Sequence, residues 1–97
     1  MPTLFVLSHA PHTDPNEGRV LDFARPGDAA ILIEDAVYGA TAVATLLTPV
    51  LADAAARGIT AYALAADMEA RGLSSELPTV DYAGFVALLA EHERAAH

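Results

Sequence analysis

Apolar and polar positions alternate in blocks along this chain rather than residue by residue. Residues 3–7 (TLFVL) and 29–33 (AAILI) are short, unbroken apolar runs, the pattern of strands covered on both faces. Residues 59–64 (ITAYAL) form a third such run and 77–80 a shorter fourth. Between them the spacing turns helical. Asp14-Pro15-Asn16-Glu17 predicts a helix start, with a capping aspartate, proline at the first helical position and glutamate three residues after the cap. That helix carries Val20, Leu21 and Phe23 to Arg25, where Pro26-Gly27 stops it. From Tyr38 a second helical period places Val43, Leu46, Leu47, Val50 and Leu51 on one face. Pro49 interrupts it, either as the first residue of a separate piece capped by Thr48 or as a bend. Arg57-Gly58 closes the segment with a cation in the last turn and glycine just beyond. A short helix over 66–71 ends at Gly72, and Asp81 caps a final helix with Tyr82, Phe85, Val86 and Leu89 on a shared face. Strands alternating with helices predict a three-layer α/β sandwich around a mainly parallel sheet. Phe5, Leu7, Ile31, Ile33, Tyr62 and Leu64 are its expected sheet residues.

Length and composition sharpen this picture. The 97 residues suit one small domain, 1–97, with a single core. Hydrophobic residues reach 54% and charged ones only 19%, little polar material for a small globule with much surface to cover. Much of that excess is alanine, which sits equally well inside or outside, but the remainder predicts a surface covered by another chain. Net charge is −8, and Arg19, Arg25, Arg57, Arg71 and Arg94 are scattered singly, so direct nucleic-acid binding is not expected. No stretch approaches the ~20 apolar residues of a membrane span, and no basic segment leads into an apolar signal core. The expectation is a cytoplasmic protein without membrane attachment.

In parallel sheets, ligands and partners meet the carboxyl ends of the strands, so the residues just after each run carry the most weight. Ser8, His9 and His12 follow the first. A serine-histidine nucleophile is disfavoured, because adjacent residues on extended backbone point opposite ways and no Gly-x-Ser-x-Gly elbow surrounds them. A metal site from His9, His12 and Asp14 lacks an identifiable fourth ligand. Backbone satisfaction by Ser8 and His9 at a loop is the favoured reading. After the second run come Glu34-Asp35, one of which is expected to cap the following helix, and Tyr38, whose ring offers contact area with a polar tip. Asp67 reads as a helix-start acid. No Gly-x-Gly-x-x-Gly or phosphate loop occurs, so no cofactor is expected.

Taken in order, TLFVLSHAP, IEDAVYGA, YALAADMEARGL and VDYAGFVALL resemble the TusB/DsrH family of sulfur-relay proteins over nearly the whole chain. The resemblance implies a small Rossmann-like subunit with about four or five strands. It implies assembly into a hexamer with homologous TusC/TusD-like or DsrE/DsrF-like subunits, serving tRNA 2-thiouridine formation in TusBCD or sulfur oxidation in DsrEFH. DsrH-type members tend to carry a cysteine near the start of the first helix, whereas here the matching segment is EGRVL and the chain has no cysteine at all. Without a thiol it cannot carry a persulfide, so no catalytic residue is assigned, the TusB side is favoured, and the active cysteine is expected on a partner.

Two functions of different class follow. The favoured one is a non-catalytic subunit of a heteromeric sulfurtransferase complex supporting wobble-uridine thiolation. The other is a stand-alone homo-oligomer binding a small ligand at the strand ends. The candidate interface or strand-end groove comprises Ser8, His9, Asp35 and Tyr38 with Val43, Leu47 and Val50 on the helix that follows.

Overall fold

The computed structural model describes residues 2–9, 17–41, 48–92 and 94–96. Five strands, β1 (Thr3–Leu7), β2 (Ala29–Leu32), β3 (Thr60–Leu64), β4 (Thr79–Val80) and β5 (Arg94–Ala96), form one sheet in the order β4-β3-β2-β1-β5. Every pairing is parallel, with Leu4 opposite Ala29, Ile31 opposite Tyr62 and Thr3 opposite Arg94. The apolar runs are buried strands, as the pattern predicts: the last four residues of β1 and all of β2 are buried. Phe5, Leu7, Ile31 and Leu64 are buried on the sheet, while Ile33 and Tyr62 are half-buried.

The direction of travel decides what covers each face. From β1 to β4 the chain moves one strand at a time the same way, and right-handed crossovers then place every connection on one face. There lie a 3-10 helix (Glu17–Phe23), a second 3-10 helix (Glu34–Ala40), α1 (Thr48–Ala56) and α2 (Ala65–Ala70). Phe5, Leu7, Ala30, Leu32 and Ala63 of the sheet meet Leu21, Val37, Leu51, Ala54 and Met68 in the larger core. The final crossover runs back from β4 to β5, past β1, and the same handedness puts α3 (Tyr82–Glu91) on the opposite face. Leu4, Val6, Ala29 and Ile31 pack against its Leu88 in a smaller core edged by half-buried Ile33, Tyr62, Val80 and Phe85.

Four expectations change. The helix expected from Asp14 is, in its described part, a tight 3-10 helix of Glu17–Phe23, with Ala24 N–H donating to Leu21 O at 3.1 Å; its proposed cap, 14–16, lies outside the described residues. Gly18 weakens an α-helix there, and Arg57 donates to the Ala24 carbonyl (3.1 Å) and adds a second bond to that of Leu21 (2.8 Å). No helix runs unbroken from Tyr38 to Leu51, because Thr41 is extended (φ −87°, ψ 158°). Pro49 falls at the start of the described α1, a position that does not need its N–H. The acid pair does not cap its own helix, as set out below. On α3, finally, Asp81 caps as expected, accepting from Gly84 N at 2.7 Å, but the buried side is Phe85 and Leu88. Tyr82, Val86 and Leu89 stay exposed. Gly84 lies so close to Val80, the residue before the Asp81 cap, that a Cβ there would be 3.0 Å from Val80 Cβ.

Candidate functional site

The carboxyl ends of β2 and β3 are joined by an ion-paired cluster. Glu34, just past β2, has φ of 51°, a left-handed backbone that non-glycine residues seldom adopt. Its N–H donates to Asp67 Oδ2 at 2.6 Å, so the acceptor for the start of the second 3-10 helix comes from α2, not from its own Glu34-Asp35 pair. Asp35 turns outward and receives two bonds from Arg71, Nε at 3.2 Å and Nη2 at 2.9 Å. Arg71 Nη1 also donates to the carbonyl of Asp67 at 3.2 Å and stands 3.8 Å from its carboxylate. The hydrogen-bonded Asp35 carboxylate raises Arg71 above the usual guanidinium range against a smaller opposing effect of burial, and the charges of Asp35, Asp67 and Tyr38 act the same way as the hydrogen bond. The guanidinium therefore stays charged, and it clips the IEDAVYGA loop to the end of α2.

The structure thus gathers Asp35 and Tyr38 around Arg71, with Tyr38 exposed over 38% of its surface and its carbonyl accepting from Thr41 N and Oγ1. Ser8 is buried at the end of β1, the neighbouring strand, and His9 is exposed beyond it. The adjacent pair thus differs sharply in exposure, in keeping with side chains that alternate along extended backbone. Val43 and Leu47 lie outside the described residues, as do His12 and Asp14. Val50 is partly buried against the larger core. Arg71 was not singled out from the sequence as a site residue, since its partner Asp35 is 36 positions away; the one local signal is its i,i+4 spacing from Asp67. Among the described residues no group of three or more His, Cys, Asp or Glu side chains is placed to hold a metal ion.

Two adjoining depressions lie elsewhere, between α1 and the segment leading to β4. One of about 470 Å³ is lined by Gly39, Ala40, Leu51, Ala55, Glu76 and Leu77 among others, and one of about 320 Å³ shares Leu51, Ala55 and Leu77. Neither is lined by Ser8, His9, Asp35 or Tyr38. Among the described residues their walls are mostly small and apolar, with Glu76 the one charge, and offer few convergent polar groups to orient a polar small ligand. Among the described residues no helix is long and apolar enough to cross a membrane.

An all-parallel five-stranded sheet with helices on both faces, and a charged clip at the strand ends, defines a small Rossmann-like α/β protein. The family model described as DsrH like protein matches residues 9–95, and the chain belongs to this DsrH-like family of sulfur-relay subunits. The solution NMR structure of protein Tm0979 from Thermotoga maritima is similar to it, with a TM-score of 0.68 and 26% sequence identity over 94% of each chain. No curated protein matches the chain. The resemblance read from SHAP, IEDAVYGA and the later motifs therefore holds at the level of family and fold.

Proposed function

We propose that this chain is a non-catalytic subunit of a heteromeric sulfur-relay complex in the cytoplasm, assembled as a hexamer with homologous TusC/TusD-like or DsrE/DsrF-like chains. In this role it supports persulfide transfer toward 2-thiouridine at the tRNA wobble position. The observation that carries the reading is membership of the DsrH-like family in a chain with no cysteine. A persulfide needs a thiolate to form on, so the sulfur must ride on a partner while this chain supplies surface. The Arg71 clip fits that role, because it holds the strand-end loop and Tyr38 in a fixed pose without placing a nucleophile beside them.

Co-expression with the two homologous chains of the same genome tests the reading. All three chains should co-purify, and incubation with a cysteine desulfurase and radiolabelled cysteine should put reductant-releasable sulfur on a partner and none on this chain. Stoichiometric label on this chain, or its purification as a homomer with an occupied strand-end groove, would overturn the proposal. Deleting the gene distinguishes the pathways: loss of 2-thiouridine from tRNA supports the TusB-type role, whereas intact tRNA with impaired sulfur oxidation assigns the chain to a DsrEFH-type complex.

A further inference from the structure

Among the described residues, the flank of α3 is an apolar feature that neither the fold nor the strand-end cluster uses. Tyr82, Val86 and Leu89 are exposed over 60, 64 and 40% of their surfaces. Spaced by four and three on one helix, they form a continuous ridge, and half-buried Phe85 joins it to the sheet. Isolated exposed apolar residues are ordinary, but a contiguous ridge over the more thinly covered face of a sheet marks a contact surface. Its charge pattern indicates what kind of chain it meets. The helix itself, Tyr82–Glu91, has no lysine or arginine, and its acids are the capping Asp81 and the terminal Glu91. Asp81 and Glu91 are exposed at the two ends of α3. A second copy would bring the same acids and a further net charge of −8, placing like charges around the contact.

We propose that the Tyr82–Val86–Leu89 ridge docks a different protein chain, one whose matching face is apolar at its centre and rimmed with lysine or arginine. This rests on the reading of the chain as a subunit of a heteromeric complex and names the surface and the chemistry of the neighbour. The acids at the rim steer encounter and exclude self-pairing, while the ridge supplies the buried contact.

The test uses the full chain co-expressed with its two homologous chains, comparing wild type with Val86→Asp and with Ala87→Asp. Ala87 is exposed on the same helix but turned about 100° from Val86, off the ridge, so its variant adds the same charge in another place. Val86→Asp should weaken assembly by on the order of 30-fold or more, as expected for charge at an interface hot spot, with native circular dichroism and melting. Ala87→Asp should assemble like wild type. Raising salt from about 50 to about 500 mM should weaken the wild-type complex, since screening removes rim attraction. Equal assembly of Val86→Asp and wild type overturns the α3 surface while leaving the subunit reading intact. Self-association that strengthens with salt and is lost in Val86→Asp overturns the heterologous neighbour in favour of a second copy. A wild-type chain that stays monomeric beside both homologous chains overturns this inference and the subunit reading together.

Discussion

The two faces of the sheet are built from the same strands yet covered to different depths. On one, α1, α2 and two 3-10 helices close over Leu21, Leu32, Val37, Ile59 and Met68. On the other, among the described residues, α3 is the one helix, burying Leu4, Val6 and Ile31 but leaving Ile33, Tyr62 and Val80 half-covered. A helix is about 10 Å across and five strands span roughly 19 Å between outer axes, so one helix cannot cover such a sheet. The asymmetry follows from strand order, because three crossovers in one direction load one face and a single return crossover serves the other. The thick face carries the larger buried core, and the thin face leaves apolar side chains within reach of solvent.

Core truncation on the two faces should expose that difference most strongly. Leu32→Ala, on the thick face, should cost about 3–5 kcal/mol and leave a protein of this size close to unfolding at 37 °C. Leu88→Ala, under the single helix, should cost about 2–3 kcal/mol, since α3 can settle onto the smaller side chain. Urea unfolding curves measure both, and equal losses would show that the two faces are equally constrained.

A smaller effect is expected where the faces share an anchor. Asp28, buried at the start of β2, accepts from Thr3 N and Arg25 N, both at 2.8 Å. Asp28→Ala removes the partner of two amides and should cost about 2 kcal/mol, read from the same curves. Gly84→Ala then tests the closeness of α3. Replacing a helical glycine ordinarily gains up to about 1 kcal/mol, but the new Cβ would press on Val80 and on the Asp81 cap, so no rise in melting temperature is expected. A clear rise would mean that α3 has room to move on this face.

The least effect on stability belongs to Arg71→Gln, because the ion pair it breaks reaches Asp35 at the surface. Its pH signature is equally flat. Folding raises the Arg71 pKa, so its stabilisation is fully present below the unfolded value and is lost only as pH climbs through the folded one, above the ordinary guanidinium range. Melting measured between about pH 6 and pH 9 should therefore differ between wild type and variant by a constant offset.

The apolar runs made the sheet legible from the sequence, since strands buried on both faces leave a continuous signal, and turn chemistry located the breaks at Pro26-Gly27, Arg57-Gly58 and Asp81. Rotation and long-range pairing were harder to read. The period of α3 admits Tyr82, Phe85, Val86 and Leu89 as an inner face, whereas the structure turns Phe85 and Leu88 to the sheet. Asp67 stands in the first turn of α2, the helix-start acid the sequence suggests, but its bond to Glu34 N, 33 positions away, has no local signal. At the candidate site, Asp35 and Tyr38 were visible as residues past a strand, but Arg71 was visible only as one of five scattered cations. Phe23, 82% exposed beside Val20 at the i,i+3 spacing that aligns on a 3-10 helix, faces outward, an orientation the run Val20, Leu21, Phe23 does not reveal.

The strand order also sets a schedule for the nascent chain. β1 emerges first during synthesis, yet one of its edges is paired only by residues 94–96 of β5. Until those residues are made, an apolar parallel strand presents unsatisfied amides and carbonyls to any other chain nearby, the circumstance in which stray pairing begins. A partner that docks on α3 soon after release would hold the return crossover in place and shorten that exposure, so subunits translated side by side should give more soluble complex than the same subunits mixed after separate synthesis.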